Sequence, residues 1–302
     1  MSDLESKLPR RNVNTGGIKP EEGDCEIIYD GKVFFESFYS SSIAHDIPKD
    51  RDTIGNSVTE PESRFHYNAV ENTIIRALAK LRPLPPPILV ATWHEKMKRN
   101  NSRLLDIGSG TGHWIDFMIE TYFVSEVVGV EITESMGKFL MDKYTKHESI
   151  TVLCTDISQP ELDTEPFGSA FHYITAIGVM FHIVDDARWQ QSLLNLHNML
   201  VPDGVILVGG EFGNETRNVQ FHHEDNFETW REFKQTKPII GQVRVNKRVR
   251  SLDGWQEAAI SSGLVIVDLL HAENDPSLAT PENNLLVLVR DDSVLAKHQI
   301  SL

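Results

Sequence analysis

The stretch LLDIGSGTGHW, residues 104–114, decides how this sequence of 302 residues is interpreted. It places Gly108, Gly110 and Gly112 at alternate positions, after an apolar run and before a segment with helical periodicity. Glycine in a tight strand-to-helix turn lets a bound group approach the backbone closely, because it has no Cβ and tolerates positive φ. The stretch therefore predicts a ligand-binding turn at the end of a buried strand.

The segments after this turn alternate between strand-like and helix-like patterns. Short apolar runs recur at residues 127–131, 150–154, 173–177, 205–208, 264–270 and 285–289, and helical spacing recurs at 113–122, 134–146, 186–200 and 253–262. Strands that alternate with helices predict an α/β fold with a doubly wound, mostly parallel sheet. The last two strands have no helical segment between them, so we expect an antiparallel pair at one edge of the sheet.

The prolines of RPLPPP, residues 82–87, end a helical pattern that begins at Arg64, because proline cannot continue a helix. We therefore divide the chain into an N-terminal tail with a helical cap, residues 1–85, and a core, residues 86–302. Residues 211–250 are polar and aromatic without clean periodicity. They predict a lid segment inserted after a strand's carboxyl end, where α/β sheets bind ligands.

The net charge of −15 argues against nucleic acid or an anionic membrane as the main partner, because binding to phosphate groups needs a basic surface. The only dense basic run is KRVR at 247–250, and we interpret it as a solvated loop edge. The first residues lack the apolar region of a secretory signal, and no apolar run reaches about 18 residues. These features predict a cytoplasmic protein without a membrane span.

Acidic side chains accompany three successive predicted strands. Asp106 lies at the end of the first strand, Glu131 at the end of the second, and Asp156 just after the third. A dinucleotide site would use the first two acids, but it needs a third glycine where this chain has His113. A ligand that joins a nucleoside to an amino acid suits the pattern better. A nicotinamide-dependent oxidoreductase stays open as the less favoured alternative.

Five segments in order, LLDIGSGTGHW, VVGVEITESM, VLCTDI, YITAIGVMFHIVDD and MLVPDGVILVGG, resemble the successive motifs of class I S-adenosylmethionine-dependent methyltransferases. The resemblance covers about residues 100–210. It implies a seven-stranded Rossmann-like sheet whose last strand is antiparallel, S-adenosylmethionine as the cofactor, and methyltransferase activity. One departure is the pair Phe171 and His172, because members often carry Phe-Asp there; we expect a structural role at this position.

The resemblance also implies which residues hold the cofactor, and all of them lie at or just after the carboxyl ends of the first four strands. Asp106 would lie near the methionine amino group, Glu131 would hold the ribose, and Asp156 would accept a hydrogen bond from the adenine. The backbone of Ile177 would face the sulfonium. The full predicted set is Asp106, Gly108, Ser109, Gly110, Gly112, Glu131, Ile132, Asp156, Ile157 and Ile177.

His182, which follows the fourth strand, is the candidate general base, because imidazole titrates near neutral pH. A packed or helix-capping histidine is the equally weighted alternative. The candidate acceptor pocket combines Arg64, Tyr67 and Asn68 of the N-terminal helix with Trp230 of the lid segment. The alternative for the three helix residues is that they form a solvated face of the helix. The alternative for Trp230 is that it packs within the lid segment.

The expected acceptor is a small molecule with a hydroxyl, amine or carboxyl group. No NPPY-like or DPPY-like tetrapeptide occurs, which weakens methylation of nucleic-acid bases. Residues 222–225, HHED, are consecutive rather than spaced as ligands on one face, so we expect no metal. A protein side chain as acceptor, or a non-catalytic cofactor-binding partner subunit, stays open, and the oligomeric state is not determined by the sequence.

Overall fold

The computed structural model describes residues 26–27, 30–33, 35–36, 39, 60–81, 101–219, 242–243, 247–271, 283–298 and 300. Three sequence-based expectations lie outside the described residues: Trp230, the HHED run at 222–225, and the proline-rich boundary at 82–87. The predicted lid segment, 211–250, is described only at its two ends. The division of the chain at residue 85 stays a prediction.

Seven strands form one sheet, and together they position the candidate site. They are β1 (Arg103–Ile107), β2 (Glu126–Glu131), β3 (Ile150–Cys154), β4 (Phe171–Ile177), β5 (Leu200–Gly210), β6 (Leu264–Leu270) and β7 (Asn284–Arg290). Their order is β6-β7-β5-β4-β1-β2-β3. Only β7 runs antiparallel to its neighbours. The predicted Rossmann-like α/β fold is confirmed, with the antiparallel strand one place in from the edge because β7 inserts between β5 and β6.

In the described part of the chain, five helices cover the two faces of this sheet. They are α1 (Glu60–Leu81), α2 (His113–Tyr122), α3 (Glu134–Lys143), α4 (Asp186–Met199) and α5 (Leu252–Ser261). One apolar cluster joins α1, α2 and α3 to the sheet, and a second joins α4 and α5 to its other face. The central strands are therefore buried from both sides, which explains their nearly continuous apolar sequences, whereas the edge strand β3 is partly exposed.

Helix α1 is part of this body and packs on the first face. Val70, Ile74 and Leu78 repeat at helical spacing and are fully buried. The helix end is held by Arg76, which donates to the carbonyl of His271 at 2.6 Å, at the end of β6. None of the helices in the described part of the chain is long and apolar enough to cross a membrane.

The short elements outside the sheet include 3-10 helices at Glu165–Phe167, Met180–His182 and Val294–His298. Strand Glu26–Ile27 pairs with Gln242–Val243, and Arg217–Val219 pairs with Lys247–Val249. The second pair corrects the interpretation of KRVR as a solvated loop edge. Lys247 and Arg250 are buried, because the strand packs against residues that follow β4 and β5.

His172, the departure from the family pattern, lies near the start of β4, at the amino edge of the sheet. Its Nδ1 accepts a hydrogen bond from the backbone N–H of Arg103 at 3.1 Å. An acceptor at Nδ1 fixes the tautomer that carries its proton on Nε2. The imidazole thus ties β4 to the start of β1, as expected for a structural position.

Candidate active site

The glycine turn (residues 108–112) joins β1 to α2 at the carboxyl edge of the sheet. Gly108, Gly110 and Gly112 have φ values of 66°, 53° and 85°, in the left-handed region that favours glycine. The backbone N–H groups of Gly108 and Ser109 donate to the carbonyl of Val130, at 2.8 and 3.1 Å. The turn is therefore anchored on β2 by its first half.

Packing within the protein also requires two of these glycines. A Cβ on Gly112 would overlap the hydroxyl of Tyr144, and a Cβ on Gly108 would overlap a methyl of Val179. The Tyr144 hydroxyl donates to the carbonyl of Gly112 at 3.0 Å, and Lys143 Nζ donates to the carbonyl of Thr111 at 2.7 Å. The end of α3 thus clamps the outer side of the turn, a contact that no sequence pattern predicts.

Asp106 is a fully buried carboxyl directly before the turn. Its Oδ1 accepts a hydrogen bond from the Thr175 hydroxyl at 2.5 Å, whereas its Oδ2 has no hydrogen-bond partner among the described residues. Burial, with a smaller contribution from Glu131, raises the Asp106 pKa to about 7. An unpaired oxygen on a buried carboxyl is costly and suits a cationic ligand.

Glu131 ends β2 and is 5% exposed. Its Oε1 accepts a hydrogen bond from the backbone N–H of Gly110 at 2.6 Å. Burial raises its pKa to about 7, and the hydrogen bond from Gly110 opposes that rise. Two buried carboxyls therefore flank the glycine turn, as their positions at the ends of adjacent parallel strands predict.

Asp156, after β3, is already engaged by protein groups. Its Oδ1 accepts from the backbone N–H and the hydroxyl of Ser158, at 2.9 and 2.6 Å, and its Oδ2 pairs with Arg188 of α4. The neighbouring Ile157 is buried, while Ile132, after β2, is half-buried. Binding of an adenine by these three residues stays a prediction.

The end of β4 offers open space beside the turn. Ile177 is half-buried, and Gly178 has a φ of 76° with no atom within 4 Å of where a Cβ would lie. The next residues form the 3-10 helix that ends at His182. The half-buried His182 ring lies 4.5 Å from the ring of Phe181 and 4.8 Å from that of Phe35.

The described residues between positions 30 and 39, namely 30–33, 35, 36 and 39, form a covering segment that reaches two sides of the crevice. Phe35 contacts His182 after β4, as described above. Glu36 Oε2 accepts hydrogen bonds from the backbone N–H groups of Glu134 and Ser135, at 2.8 and 3.4 Å. These are unpaired donors at the start of α3, which Thr133 at the N-cap position does not satisfy with its side chain. The segment thus extends from the end of β4 to the residues that follow β2.

The four predicted acceptor residues do not gather in one place. Tyr67 is buried, with its ring 3.9 Å from that of His113 and 5.3 Å from that of Trp114. Arg64 and Asn68 are exposed on α1, and Trp230 lies outside the described residues. The structure therefore connects only Tyr67 to the start of α2, and the acceptor role of the set stays a prediction.

A small pocket lies at the carboxyl end of β5, next to the end of β4. It has an empty volume of about 230 Å³, part of which opens to solvent. Its lining residues follow β4, end β5, or belong to the strand and helix near residue 250: Met180, Phe181, Val208, Gly209, Gly210, Glu211, Phe212, Arg248, Arg250 and Trp255. The sequence pattern does not predict the two arginines at this place. In the described part of the chain, no three His, Cys, Asp or Glu side chains are grouped to hold a metal ion.

Comparison with known proteins identifies the domain. Residues 104–204 match the family model of a methyltransferase domain. The chain is 24% identical over 148 residues to a malonyl-[acyl-carrier protein] O-methyltransferase of Bacillus cytotoxicus, and the match covers 49% of this chain and 46% of that protein. It is 24% identical over 186 residues to an uncharacterised protein of Rickettsia prowazekii, with 60% and 69% covered. The match thus spans about half the length of the first of these relatives.

Solved structures share the fold at low sequence identity. The CcbJ methyltransferase from Streptomyces caelestis aligns with a TM-score of 0.50 and 16% identity, over 87% of this chain and 99% of that chain. The magnesium protoporphyrin IX methyltransferase ChlM from Synechocystis, with bound S-adenosylmethionine, aligns with a TM-score of 0.50 and 13% identity, over 88% and 99%. Identity at this level establishes similarity of fold and nothing finer.

Proposed function

We propose that this chain, whose residues 104–204 form a class I S-adenosylmethionine-dependent methyltransferase domain, methylates an oxygen or nitrogen of a small-molecule acceptor. The cofactor follows from the family. The class of acceptor rests on one observation, the covering segment, which contacts both the start of α3 through Glu36 and His182 through Phe35.

The residues at the glycine turn fit the cofactor's charges. S-adenosylmethionine carries a cationic ammonium group, and the buried Asp106 holds a carboxylate oxygen without a partner among the described residues. Glu131, whose Oε1 meets the N–H of Gly110, lies where a carboxylate can accept hydrogen bonds from the ribose hydroxyls. Asp106 and Glu131 would therefore hold the two ends of the cofactor's methionine-ribose portion, and Asp156 would lie toward its adenine.

A covered crevice supports a small acceptor over a protein surface. The covering segment is held at one side by Glu36 on the α3 N-terminus and by the ion pair of Lys32 with Glu134 at 3.2 Å. At the other side, the ring of Phe35 packs edge-on against His182. A polymeric substrate would have to displace these contacts, whereas a small molecule would be less affected by them.

The chemistry needs positioning more than activation. S-adenosylmethionine supplies a methyl group on a sulfonium, which is already a good leaving group. The chain aligns the acceptor and excludes water, effects worth up to about 10 kcal/mol. His182 would take the proton from a hydroxyl or ammonium acceptor, a contribution of about 10²–10⁴-fold.

An oxygen acceptor has additional support from one relative. The curated protein that matches 49% of this chain is an O-methyltransferase by name. A protein side chain as acceptor is disfavoured by the covering segment, and a non-catalytic subunit by the full set of acids and glycines at the turn.

Calorimetric titration with S-adenosylmethionine, S-adenosylhomocysteine and NAD, in parallel, tests the proposal. We expect micromolar binding of the first two and none of NAD, followed by turnover in a screen of small hydroxyl, amine and carboxyl acceptors. Binding of NAD alone would refute the cofactor assignment. Turnover confined to protein substrates would refute the acceptor class.

A further inference from the structure

Thr175 is a fully buried polar residue within β4. It interrupts the apolar run of this strand, and a buried hydroxyl is costly unless it has a hydrogen-bond partner. Its hydroxyl donates to Asp106 Oδ1 at 2.5 Å. This distance is typical of a hydrogen bond from a hydroxyl to an ionised carboxylate. The bond therefore joins a residue outside the predicted cofactor set to the carboxyl that precedes the glycine turn.

The register of the strands places these two side chains next to each other. Asp106 and Thr175 are paired residues of the parallel strands β1 and β4, so their side chains extend from the same face of the sheet. On the other side, Asp106 is paired with Gly129 of β2. Ser109 lies over that glycine, because a Cβ on Gly129 would be 2.9 Å from its Oγ. Asp106 thus has a threonine beside it on one neighbouring strand and no side chain beside it on the other.

Thr175 also acts on the charge of this carboxyl. Burial raises the Asp106 pKa to about 7, and the Thr175 hydroxyl is the largest influence that opposes the rise. Ser109 and His113 oppose the rise less, and the negative charge of Glu131 adds to it. Because a hydrogen bond to the ionised form favours that form, loss of the Thr175 hydroxyl would raise the Asp106 pKa further. The hydroxyl thus favours the charged state that attracts an ammonium group.

We propose that Thr175 is a positioning residue for the cofactor, because its hydroxyl holds Asp106 Oδ1 and leaves Oδ2 to receive the cofactor's ammonium group. The inference rests on the proposed function, in which Asp106 binds that group. Oδ1 is held by the threonine, whereas Oδ2 has no hydrogen-bond partner among the described residues. A carboxylate held through one oxygen loses freedom of rotation, so its second oxygen keeps one orientation. Thr175 acts through Asp106 and not on the reacting atoms.

Two ligands separate the amino-acid end of the cofactor from its nucleoside. S-adenosylhomocysteine carries the ammonium group, whereas 5′-methylthioadenosine keeps the nucleoside and the thioether and lacks the amino-acid portion. In calorimetric titrations at neutral pH, we expect Thr175→Val to weaken binding of S-adenosylhomocysteine at least tenfold and binding of 5′-methylthioadenosine less than twofold. Equal losses for the two ligands would overturn the proposal, because the effect would not be confined to the amino-acid end.

Valine and serine variants distinguish the hydrogen bond of Thr175 from its packing. Thr175→Val keeps the shape of the side chain and removes the hydroxyl, whereas Thr175→Ser keeps the hydroxyl and removes a methyl group. For a positioning residue, the serine variant should retain S-adenosylhomocysteine affinity within threefold, and the valine variant should not. For a residue that only packs, serine should be the more damaging change, because it leaves a cavity. That order would overturn the proposal.

Thr73 supplies the matched control for the valine substitution. Like Thr175 it is fully buried, and its hydroxyl donates to the carbonyl of Ala69 within α1 at 2.7 Å. Thr73→Val therefore removes a buried hydrogen bond of a threonine hydroxyl that does not contact Asp106. We expect it to change the affinity for either ligand less than twofold. A loss as large as that of Thr175→Val would contradict the positioning role, because it would reflect stability alone.

The pH dependence of binding gives a readout that a packing role would not move. The measured quantity is the ratio of the S-adenosylhomocysteine affinities of the unmodified chain and Thr175→Val, in which the titration of the ligand, of Glu131 and of His113 is common to both. We expect this ratio to fall as pH rises from about 6 to about 8.5, because Asp106 becomes ionised in both chains. A constant ratio would contradict an effect transmitted through Asp106.

Titration of the unmodified chain distinguishes this inference from the proposed function. Binding of S-adenosylhomocysteine that Thr175→Val leaves unchanged overturns the positioning role and leaves methyl transfer intact. Absence of binding to the unmodified chain refutes the proposed function, and the inference with it. If Thr175→Val does not fold, Thr175→Cys replaces it, because a thiol is a weaker donor than a hydroxyl. That variant should lose at least threefold in affinity, and retained affinity would overturn the proposal.

Discussion

The glycine turn and the basic strand, Lys247–Val249 with Arg250, lie at the same edge of the sheet but differ in how their sequences relate to their surroundings. The turn has positive φ at three glycines, and the spacing of those glycines in the sequence predicts this backbone conformation directly. The basic strand has the composition of an exposed loop, yet Lys247 and Arg250 are buried. Backbone requirements are local and visible in sequence, whereas burial of a charge depends on partners far along the chain.

The same contrast divides the candidate site into two halves. The cofactor half, after β1 and β2, contains Asp106, Glu131 and the glycine turn, which lie close together in sequence. The acceptor half, after β4 and β5, contains His182 and the pocket at Arg250. If the halves are functionally separate, substitutions in one should leave the other's ligand unaffected.

The largest expected effect is in the acceptor half, from His182→Ala. If His182 is the proposed general base for a hydroxyl acceptor, its removal should lower kcat by about 10²–10⁴-fold and change cofactor affinity less than twofold. His172→Ala, at the other end of β4, is the matched control and should leave kcat per folded molecule unchanged. Single-turnover kinetics and cofactor titration measure both quantities; unaltered kcat in His182→Ala would make the histidine a packing residue.

Two glycines with similar φ, one in each half of the candidate site, allow the halves to be compared by the free energy of unfolding of their alanine variants. Gly112 in the cofactor half has a φ of 85° and is clamped by Tyr144, while Gly178 in the acceptor half has a φ of 76° and open space around it. Alanine at either position bears the backbone cost of about 1–3 kcal/mol. Only Gly112→Ala adds a clash, so it should lower the free energy of unfolding more than Gly178→Ala does.

Urea denaturation of the two glycine variants measures this difference. Equal losses of stability would show that the Tyr144 side chain moves away from the added methyl group without lowering the free energy of unfolding. The clamp itself can then be removed with Tyr144→Phe, which keeps the ring but deletes the hydroxyl that meets Gly112.

The smallest expected effect is a pH dependence confined to the cofactor half. Burial raises the pKa values of Asp106 and Glu131 to about 7 in the fold, from their ordinary values of 3.8 and 4.5. The folded chain therefore binds more protons than the unfolded chain between those limits. Each group then lowers stability as pH rises from about 4 to 7, by at most about 1.4 kcal/mol per pH unit.

Unfolding free energies at pH 5 and pH 8 check this sign without any ligand. The unmodified chain should lose stability from these two groups over that interval, and Asp106→Asn should lose less because it removes one of them. A cationic cofactor favours the ionised carboxylates, so its affinity should rise through pH 7. An Asp106→Asn variant with the same pH slope as the unmodified chain would contradict the raised pKa.

Much of the fold was predictable because its signals are periodic and local. Alternating strand and helix patterns predicted the seven strands, and the glycine run predicted the turn from β1 to α2. The candidate cofactor residues Asp106 and Glu131 were predictable because parallel strands bring their carboxyl ends to one edge. The burial of Arg250 was not predictable, since it depends on contacts with Asp186 and Ile183, more than sixty residues earlier in the chain.

The sequence by itself determined the α/β architecture and the ligand-binding character of the glycine turn. Both depend on side-chain periodicity and backbone conformation within short segments. Only the tertiary structure decided that Tyr144 clamps the turn, that Glu36 caps α3, and that Arg250 is buried with an unpaired donor. These features join residues distant in sequence, and their energies come from desolvation and packing, which no short segment encodes.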